Sequence, residues 1–339
     1  MHLSGHAVRL VLAAGLAGAC ARMQAEEPTP AQGPAPACGN VGFGPFRVPP
    51  QSPLQGLRPG YIPRAPSTLP AGDWEARLSA GWVNVWSRHS SWILDGEMLQ
   101  TDLSVAHGLD ESAGIEVGIE LRSRSGGCLD GLIEWFHGNV THTQDGRTRA
   151  PRGDFLCQFP GGRAELSGAD RGIYSAALRL DFLHTLVPGT EELPAVAYAL
   201  TARGELRPQD DFAREVPVDA GMSLAVSKRL GDVYLYAGGG LFWYGRERFQ
   251  AIALDAVQWS GLLAVEWRIA EPVSLVAQYL VSSGAAENVD YFSRPSGEAV
   301  AGGTIAVAAG IALDIAAIEN ISHDNVPDFG FHFGLRTRF

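Results

Sequence analysis

The sequence contains a single lysine, Lys228, so its positive charge is carried almost entirely by arginine. The arginines are scattered along the chain and form no basic stripe, and the formal net charge is −11. A nucleic-acid-binding protein needs a concentrated basic surface. The composition therefore predicts no nucleic-acid partner.

Long apolar runs are also missing. After Ala25 no run approaches the ~20 residues that a membrane-spanning helix requires. The one apolar run, Leu10 to Ala19, follows Arg9 and has the length of a signal-peptide core. We therefore predict a signal peptide over residues 1–25 and an exported protein. If that protein is integral to a membrane, it must cross with strands.

Cysteine is scarce, and no Cys-x-x-Cys spacing supports a zinc or redox site. Cys20 follows small residues and is either a lipid-attachment point or the neighbour of an ordinary cleavage site. Cys128 and Cys157 flank one polar segment, and in an exported protein they are the pair we expect to form a disulfide. Two unpaired thiols are the alternative, because connectivity cannot be deduced from sequence.

Proline and glycine are abundant instead. The chain has 41 Gly and 21 Pro, which favours strands and turns over long helices. Twelve of the prolines fall within residues 26–72, where they prevent a regular ladder of backbone hydrogen bonds. We predict an extended arm over 26–72 whose apolar second part docks, as a candidate plug of the lumen.

From Asp73 onward, apolar and polar residues alternate with the period of a strand. The segment WEARLSAGWVNVW (74–86) places tryptophans at both ends of its apolar face. The connections between such segments are alternately tight and long. Twelve segments with this pattern predict an all-β fold, an antiparallel transmembrane β-barrel over 73–339 with a long loop at 123–171. A soluble β-sandwich is the alternative, with the apolar faces turned inward.

The polar faces of these strands carry charges of both signs, which is typical of a hydrated or plugged barrel interior. The predicted lumen-lining residues are Glu75, Arg77, Glu116, Glu120, Arg122, Arg179, Asp181, Arg203, Glu205, Glu266, Arg268, His332, Arg336 and Arg338.

One segment has a helical pattern, LDGLIEWFH (Leu129 to His137). We interpret it as a loop or plug element that packs its apolar face on the barrel. Glu134 and His137 share a spacing seen in di-metal sites, but such sites take further ligands from other helices, which this sequence lacks. We predict no metal and no cofactor.

No nucleophile-elbow glycine pattern marks a serine, and no phosphate-binding loop is present. Catalytic residues cannot be assigned, so an enzyme is less favoured than a conduit. A lipid-acting hydrolase stays an alternative because a Ser and a His can converge in the fold. A structural or surface-interaction barrel is a further alternative.

Five pieces of the sequence, in this order, resemble an uncharacterised bacterial family, domain-of-unknown-function family 3187. They are GFGPF and QSPLQ in the arm (Gly42 to Gln55), LDGLIEWFH, QDGR (Gln144 to Arg147) and the closing PDFGFHFGLRTRF. The resemblance implies an exported barrel with no established activity, so it transfers no catalytic residue. Cys20 and Cys38 depart from the family pattern.

The chain ends on a strand whose last residue is Phe339. An aromatic ring at the end of a lipid-facing strand lies at the membrane interface. It also looks like the signal that the outer-membrane barrel insertion machinery recognises. The expected location is therefore the bacterial outer membrane, with its lipid and this machinery as partners. The expected function is a conduit for an unidentified small solute or amphiphile.

Overall fold

A computed structural model describes residues 39–58, 60–89, 92–127, 129–136, 138–139, 151–207, 218–245, 247–321, 325 and 327–339. The described residues form sixteen strands and one α-helix, α1 (Asp130–Phe136). The strands are β1 (Trp74–Arg88), β2 (Ile93–Gly108), β3 (Ala113–Ser125), β4 (Leu156–Gln158), β5 (Glu165–Leu166), β6 (Gly172–Val187), β7 (Ala195–Arg207), β8 (Val218–Leu230), β9 (Val233–Trp243), β10 (Arg248–Phe249), β11 (Ile252–Ala253), β12 (Val257–Ala270), β13 (Val273–Ser282), β14 (Ser296–Ala308), β15 (Ile311–Asn320) and β16 (Phe329–Arg338). Three short 3-10 turns lie at Gln55–Leu57, Pro160–Gly162 and Gly168–Asp170.

Twelve of these strands close into an antiparallel barrel. The order around the wall is β1-β16-β15-β14-β13-β12-β9-β8-β7-β6-β3-β2, and β1 also pairs with β2, which closes the ring. At the seam, Trp74 and Phe339 exchange two backbone hydrogen bonds of 2.9 Å. The predicted fold class and the twelve strands are confirmed.

The two faces of the wall differ in polarity, as the alternation predicts. Leu78, Leu178, Leu263 and Phe333 are between 41% and 65% exposed on the outer face. Their strand neighbours point inward and are mostly charged, polar or small. An apolar surface of this kind, held by closed strands without a free sheet edge, suits a hydrocarbon solvent.

The connections distinguish the two ends of the barrel. Tight turns follow β2, β6, β8, β12 and β14, and both ends of the barrel chain lie at the same end, which we call the turn end. Longer connections lie at the other, the loop end. The alternation of apolar and polar residues predicts the last tight turn at Leu313 and Asp314, but the turn falls at Ala309 and Gly310. Gly310 has φ +71°, a conformation that glycine adopts without strain.

Segments between the barrel strands pack over the loop end. Strand β4 extends the sheet beyond β2 and pairs with β5, so the region 150–171 forms a hairpin above the barrel and no spanning strand. The alternation also predicts a loop at 88–96, but β1 continues to Arg88 and β2 begins at Ile93, so the two strands are longer than their alternation suggests.

The loop segments and the arm form one buried apolar cluster, which we call the loop-end cap. Its members include Leu54, Leu57, Trp92, Phe155, Phe159, Phe249, Ile252 and Phe292.

Helix α1 lies outside the barrel. Leu129 and Ile133 pack with Phe329 on the outer wall, next to Trp82 and Phe331. The helix therefore packs its apolar face on the barrel as predicted, but outside the lumen. Among the described residues, no helix is long and apolar enough to cross a membrane.

Candidate functional site

The described part of the arm, residues 39–58 and 60–72, lies inside the barrel. It enters at the turn end, where Asn40 Nδ2 donates to the carbonyl oxygens of Thr190 and Leu193, each at 2.6 Å. Asn40 Oδ1 accepts the backbone N–H of Arg229 at 3.0 Å. Since Asn40 is 2% exposed, it fixes the arm to two neighbouring parts of the turn-end rim.

The ascending limb of the arm is held through its backbone by two wall carboxylates. Glu266 accepts the N–H groups of Phe43 and Gly44, both at 2.9 Å. Higher in the barrel, Glu298 accepts the N–H of Gln51 at 2.8 and 3.1 Å. Proline-rich backbone cannot pair as a strand, so its remaining N–H groups are satisfied by side chains of the wall.

The tip of the arm reaches the loop end. Leu54 and Leu57 are 0% and 2% exposed within the loop-end cap. Arg58 donates to the carbonyl oxygens of Asp255 and Ala285 in two different loops, at 2.7 and 3.2 Å. The tip of the arm therefore links two of the loops to each other, and it connects them to the part of the arm inside the lumen.

The descending limb returns to the turn end. Tyr61 is 1% exposed against Gly238, where a Cβ atom would lie 2.4 Å from the tyrosine oxygen. Thr68 Oγ1 lies 3.3 Å from Thr185 Oγ1, and the limb ends where Gly72 N donates to Gly108 O at 2.9 Å. The arm is thus a hairpin, and both of its ends lie at the turn end.

Two arginines of the arm bind one carboxylate of the wall. Arg47 donates two hydrogen bonds to Glu116, at 2.6 and 3.0 Å. Arg64 donates to the same carboxylate at 2.6 Å and to Asp181 at 2.5 Å. All four side chains are at most 11% exposed. Because a buried charge without a partner is strongly destabilising, each side chain depends on its ion-pair partners.

One wall arginine lies in the middle of this group. Arg179 contacts Glu116 at 3.0 Å and Asp102 at 2.7 Å, and it also donates to Asp181. We call Asp102, Glu116 and Asp181 the acidic wall site. Its three carboxylates are balanced by one guanidinium of the wall and two of the arm.

Three cavities remain beside the arm. One lies at the turn end between Arg47 and Arg64 of the arm and Glu75, Arg77 and Arg336 of the wall. A second lies further up and is also lined by Arg47, and a third lies between Tyr61 and Arg64 of the descending limb and the wall. The arm occupies the space between these cavities, so the lumen is closed in this conformation.

The predicted lumen-lining residues all lie on strands of the barrel, on the face opposite the exposed apolar side chains. Glu120 joins Arg122, Arg179 and Arg203. Glu75 joins Arg77 and Arg338 at the turn-end rim. The others are buried or half-buried: Glu116, Asp181, Glu205, Glu266, Arg268, His332 and Arg336.

Sequence reasoning missed the partners that the arm contributes. Between Gly39 and Gly72 the arm has three arginines, Arg47, Arg58 and Arg64, and no acidic residue. This excess of arginine over acidic residues in the arm could have predicted that the arm docks against carboxylates of the wall. Asp102 and Glu298 of the wall were also missed, and Glu298 lies before the predicted start of its strand at residue 300.

One of the two cysteines that were predicted to pair lies among the described residues. Cys157 is a free thiol, 0% exposed in the loop-end cap, and burial raises its pKa to about 12. It lies on β4 among apolar side chains, which accommodate a thiol as a small hydrophobe. Its predicted partner Cys128 lies outside the described residues, as do Cys20 and the predicted signal peptide.

His107, His184 and His332 contact backbone carbonyl groups or an aromatic ring, and none of these contacts marks a catalytic base. His107 Nδ1 lies 3.2 Å from Asp73 O, and His184 Nδ1 lies 3.0 Å from Ser112 O. His332 faces the lumen beside the ring of Phe46. No group of three or more metal-ligating side chains occurs in the described ranges. His137 lies outside them, so the Glu134 and His137 spacing keeps its status as a sequence observation.

A closed antiparallel barrel with an apolar outer face and a charged interior defines the class of outer-membrane barrels. Within that class, the chain belongs to the family described as protein of unknown function (DUF3187), which matches residues 34–339. The resemblance predicted from the sequence is confirmed.

The chain is similar to solved structures, and the one with a TM-score above 0.5 among the three that follow shares its fold. The COG4313 outer membrane channel from Pseudomonas putida F1 is 13% identical, with a TM-score of 0.53, over 82% of this chain and 99% of that one. The KdgM porin in complex with disordered oligogalacturonate is 6% identical, with a TM-score of 0.42, over 79% and 99%. The translocator domain of the autotransporter NalP from Neisseria meningitidis is 11% identical, with a TM-score of 0.41, over 80% and 90%. No curated protein matches the chain in sequence.

Proposed function

We propose that this protein is a conduit for a small solute or amphiphile through the bacterial outer membrane, closed in this conformation by its own arm. The turn end then faces the periplasm and the loop end the exterior, which is the usual orientation of such barrels. The fold shared with an outer membrane channel supports the membrane assignment.

The observation that carries the proposal is the path of the arm. The arm fills the lumen from the turn-end rim, at Asn40, to the loop-end cap, at Leu57, and then returns. Because both ends of this hairpin lie at the turn end, the hairpin can leave the lumen toward that end without threading chain through the barrel. Withdrawal would leave a polar passage.

The contacts of the arm are compatible with release. Within the lumen it is held by ion pairs of Arg47 and Arg64 and by N–H bonds to Glu266 and Glu298. Every one of these wall groups is a carboxyl group, which water would hydrate in an open lumen. No covalent bond ties the tip of the arm to the wall among the described residues.

The test is the swelling of liposomes that contain the purified full-length protein or the variant R47A/R64A. We expect slow swelling in a small sugar with the full-length protein and faster swelling with the variant, because the variant loses the buried ion pairs of the arm. R88A, which removes an exposed arginine at the loop end, is the matched control and should behave as the full-length protein.

Folding is checked in the same samples by the gel mobility of unheated protein, since an intact barrel migrates faster than the heated chain. Folded full-length and variant proteins that both swell no faster than protein-free liposomes would contradict the proposal. Fractionation of cells tests the location, and a soluble periplasmic protein would contradict it.

The loop-end cap favours a second candidate function. A barrel whose loops pack into one ordered apolar cluster offers a fixed outer surface for binding another molecule, without any passage of solute. The liposome experiment separates the candidates, because a purely structural or surface-interaction barrel would stay closed in both proteins.

A further inference from the structure

We propose that the acidic wall site binds the cationic group of a passing solute, so that the open conduit prefers cations, and small guanidinium or amine compounds in particular. This inference rests on the proposed function. The arm then acts as a tethered competitor, whose arginines occupy the site while the lumen is closed.

The first argument is occupancy. In the closed lumen, Glu116 and Asp181 receive four hydrogen bonds from Arg47 and Arg64, between 2.5 and 3.0 Å. Two guanidinium groups therefore fit side by side on this part of the wall. Paired N–H donors and carboxylate oxygens match in geometry as well as charge, which makes the site selective for groups of this shape.

The second argument is the charge that remains after the arm leaves. Asp102, Glu116 and Asp181 then share the single guanidinium of Arg179. Asp102 Oδ1 is buried and has no hydrogen-bond partner among the described residues even in the closed state. The site loses two positive charges and keeps all three negative ones.

The third argument comes from the opposite wall. Glu266 and Glu298 are 0% and 2% exposed, and within the described ranges no arginine or lysine lies within ion-pair distance of either. Their partners include N–H groups of the arm. Beside Glu298, the buried Gln278 Oε1 has no partner in the described part of the chain. In the opened lumen Glu266 keeps the hydroxyl of Tyr236, which donates to it at 2.7 Å, but both carboxyl groups lose the N–H donors of the arm.

The site is accessible from one side. The turn-end cavity is lined by Glu116 and by both arm arginines, so a solute that enters it can reach the site. The opposing charges are at the rim, where Arg77 and Arg338 share Glu75 and Arg336 donates to Phe43 O at 2.8 Å. Carboxylates on a low-dielectric wall concentrate cations, and rim arginines would concentrate anions.

The test is the reversal potential of single channels in a KCl gradient across a planar bilayer. Four full-length proteins are compared: the unchanged chain, E116Q, D181N and the control E165Q, which alters an exposed carboxylate of the loop-end hairpin. We expect open events of the unchanged chain and of E165Q to favour K⁺ over Cl⁻ several-fold. E116Q and D181N should conduct more often but with a smaller preference for K⁺.

A second reading uses guanidinium chloride at millimolar concentration on the turn-end side. Guanidinium should increase the fraction of time that the unchanged channel is open, because it competes with the arm, and it should have less effect on E116Q. Currents that favour Cl⁻, or a preference for K⁺ that neither E116Q nor D181N reduces, would overturn the inference and leave the conduit intact. Folded protein without currents in all four samples would overturn the conduit itself, and the inference with it.

Discussion

Near the loop end the lumen is filled by apolar side chains, whereas near the turn end it is filled by paired charges and retains a cavity. The apolar half excludes water, and its contacts with the arm are lost together when the arm tip leaves the cap. In the charged half, an ion pair that loses one partner leaves the other charge buried without compensation. The comparison therefore assigns the exclusion of water to the cap, and the larger share of the arm's retention and the selection of solute to the turn-end half.

The largest effect is expected from R64A in the charged half. Removal of one partner from a buried ion pair costs about 3–5 kcal/mol, because the remaining charge stays buried without compensation. Here Glu116 and Asp181 suffer that cost only while the arm is docked. The closed state should therefore weaken by a factor of about 100 or more, measured as the fraction of time that single channels conduct.

The control for R64A is R152A, whose guanidinium contacts Glu134 on the exterior and is 68% exposed. An exposed ion pair contributes little, so R152A should leave the conducting fraction unchanged. If R64A and R152A behave alike, the arm is not held by its buried charges.

A comparable but smaller effect is expected from L54A in the loop-end cap. Leu54 is 0% exposed, and truncation of a buried leucine costs about 2–5 kcal/mol, including the cavity that it leaves. The arm should undock more often and become more sensitive to thermolysin. L263A removes a leucine that is 65% exposed on the outer wall and serves as the matched control. Equal cleavage rates in the two variants would show that the cap does not hold the arm.

How much of this could be read from the sequence differs between the two halves. The alternation of apolar and polar residues identified the strands of the barrel wall, because a membrane strand has one lipid-facing and one lumen-facing side and its side chains repeat with a period of two. The paired charges of the wall followed from the same pattern. The partners of those charges did not, since Arg47 and Arg64 reach Glu116 from an irregular segment that has no period.

The loop-end cap was not predictable for a similar reason. It joins Leu54 of the arm to Phe155, Phe249 and Phe292 of three separate connections, which are distant in sequence and share no pattern. The helix at 130–136 was predicted, but which side of the wall it packs against depends on the register of Trp82 and Phe329. Short connections such as Gly310 were misplaced because Ala-rich strands continue their alternation through a turn.

A smaller effect is expected from N40A at the turn-end rim. Loss of a hydrogen-bonding side chain costs about 1–3 kcal/mol when its partners stay buried. Asn40 holds the entrance of the ascending limb through Thr190, Leu193 and Arg229. Closed times of single channels should shorten by less than in R64A or L54A. Closed times shorter than those of R64A would place the main restraint at the rim, against the comparison.

The smallest signal is expected from chemical labelling of Cys157, whose rate reports directly on whether the loop-end cap is closed to water. Burial raises the pKa of this thiol to about 12, so at pH 7 to 9 it stays protonated and does not react. With the other cysteines replaced by serine, folded protein should resist maleimide labelling, and denatured protein should react fully. L54A should label faster than the parent. Rapid labelling of the folded parent would show that the cap is open to water.

The central claim is that the docked arm keeps the conduit closed, and its most direct test is the conductance of the barrel without residues 26–72. The variant is first shown to be folded by the mobility of the unheated protein. We predict that the full-length protein is closed most of the time, with brief openings, and that the shortened protein conducts continuously. A folded, shortened barrel that stays silent, or that conducts no more than the full-length protein, would contradict the account.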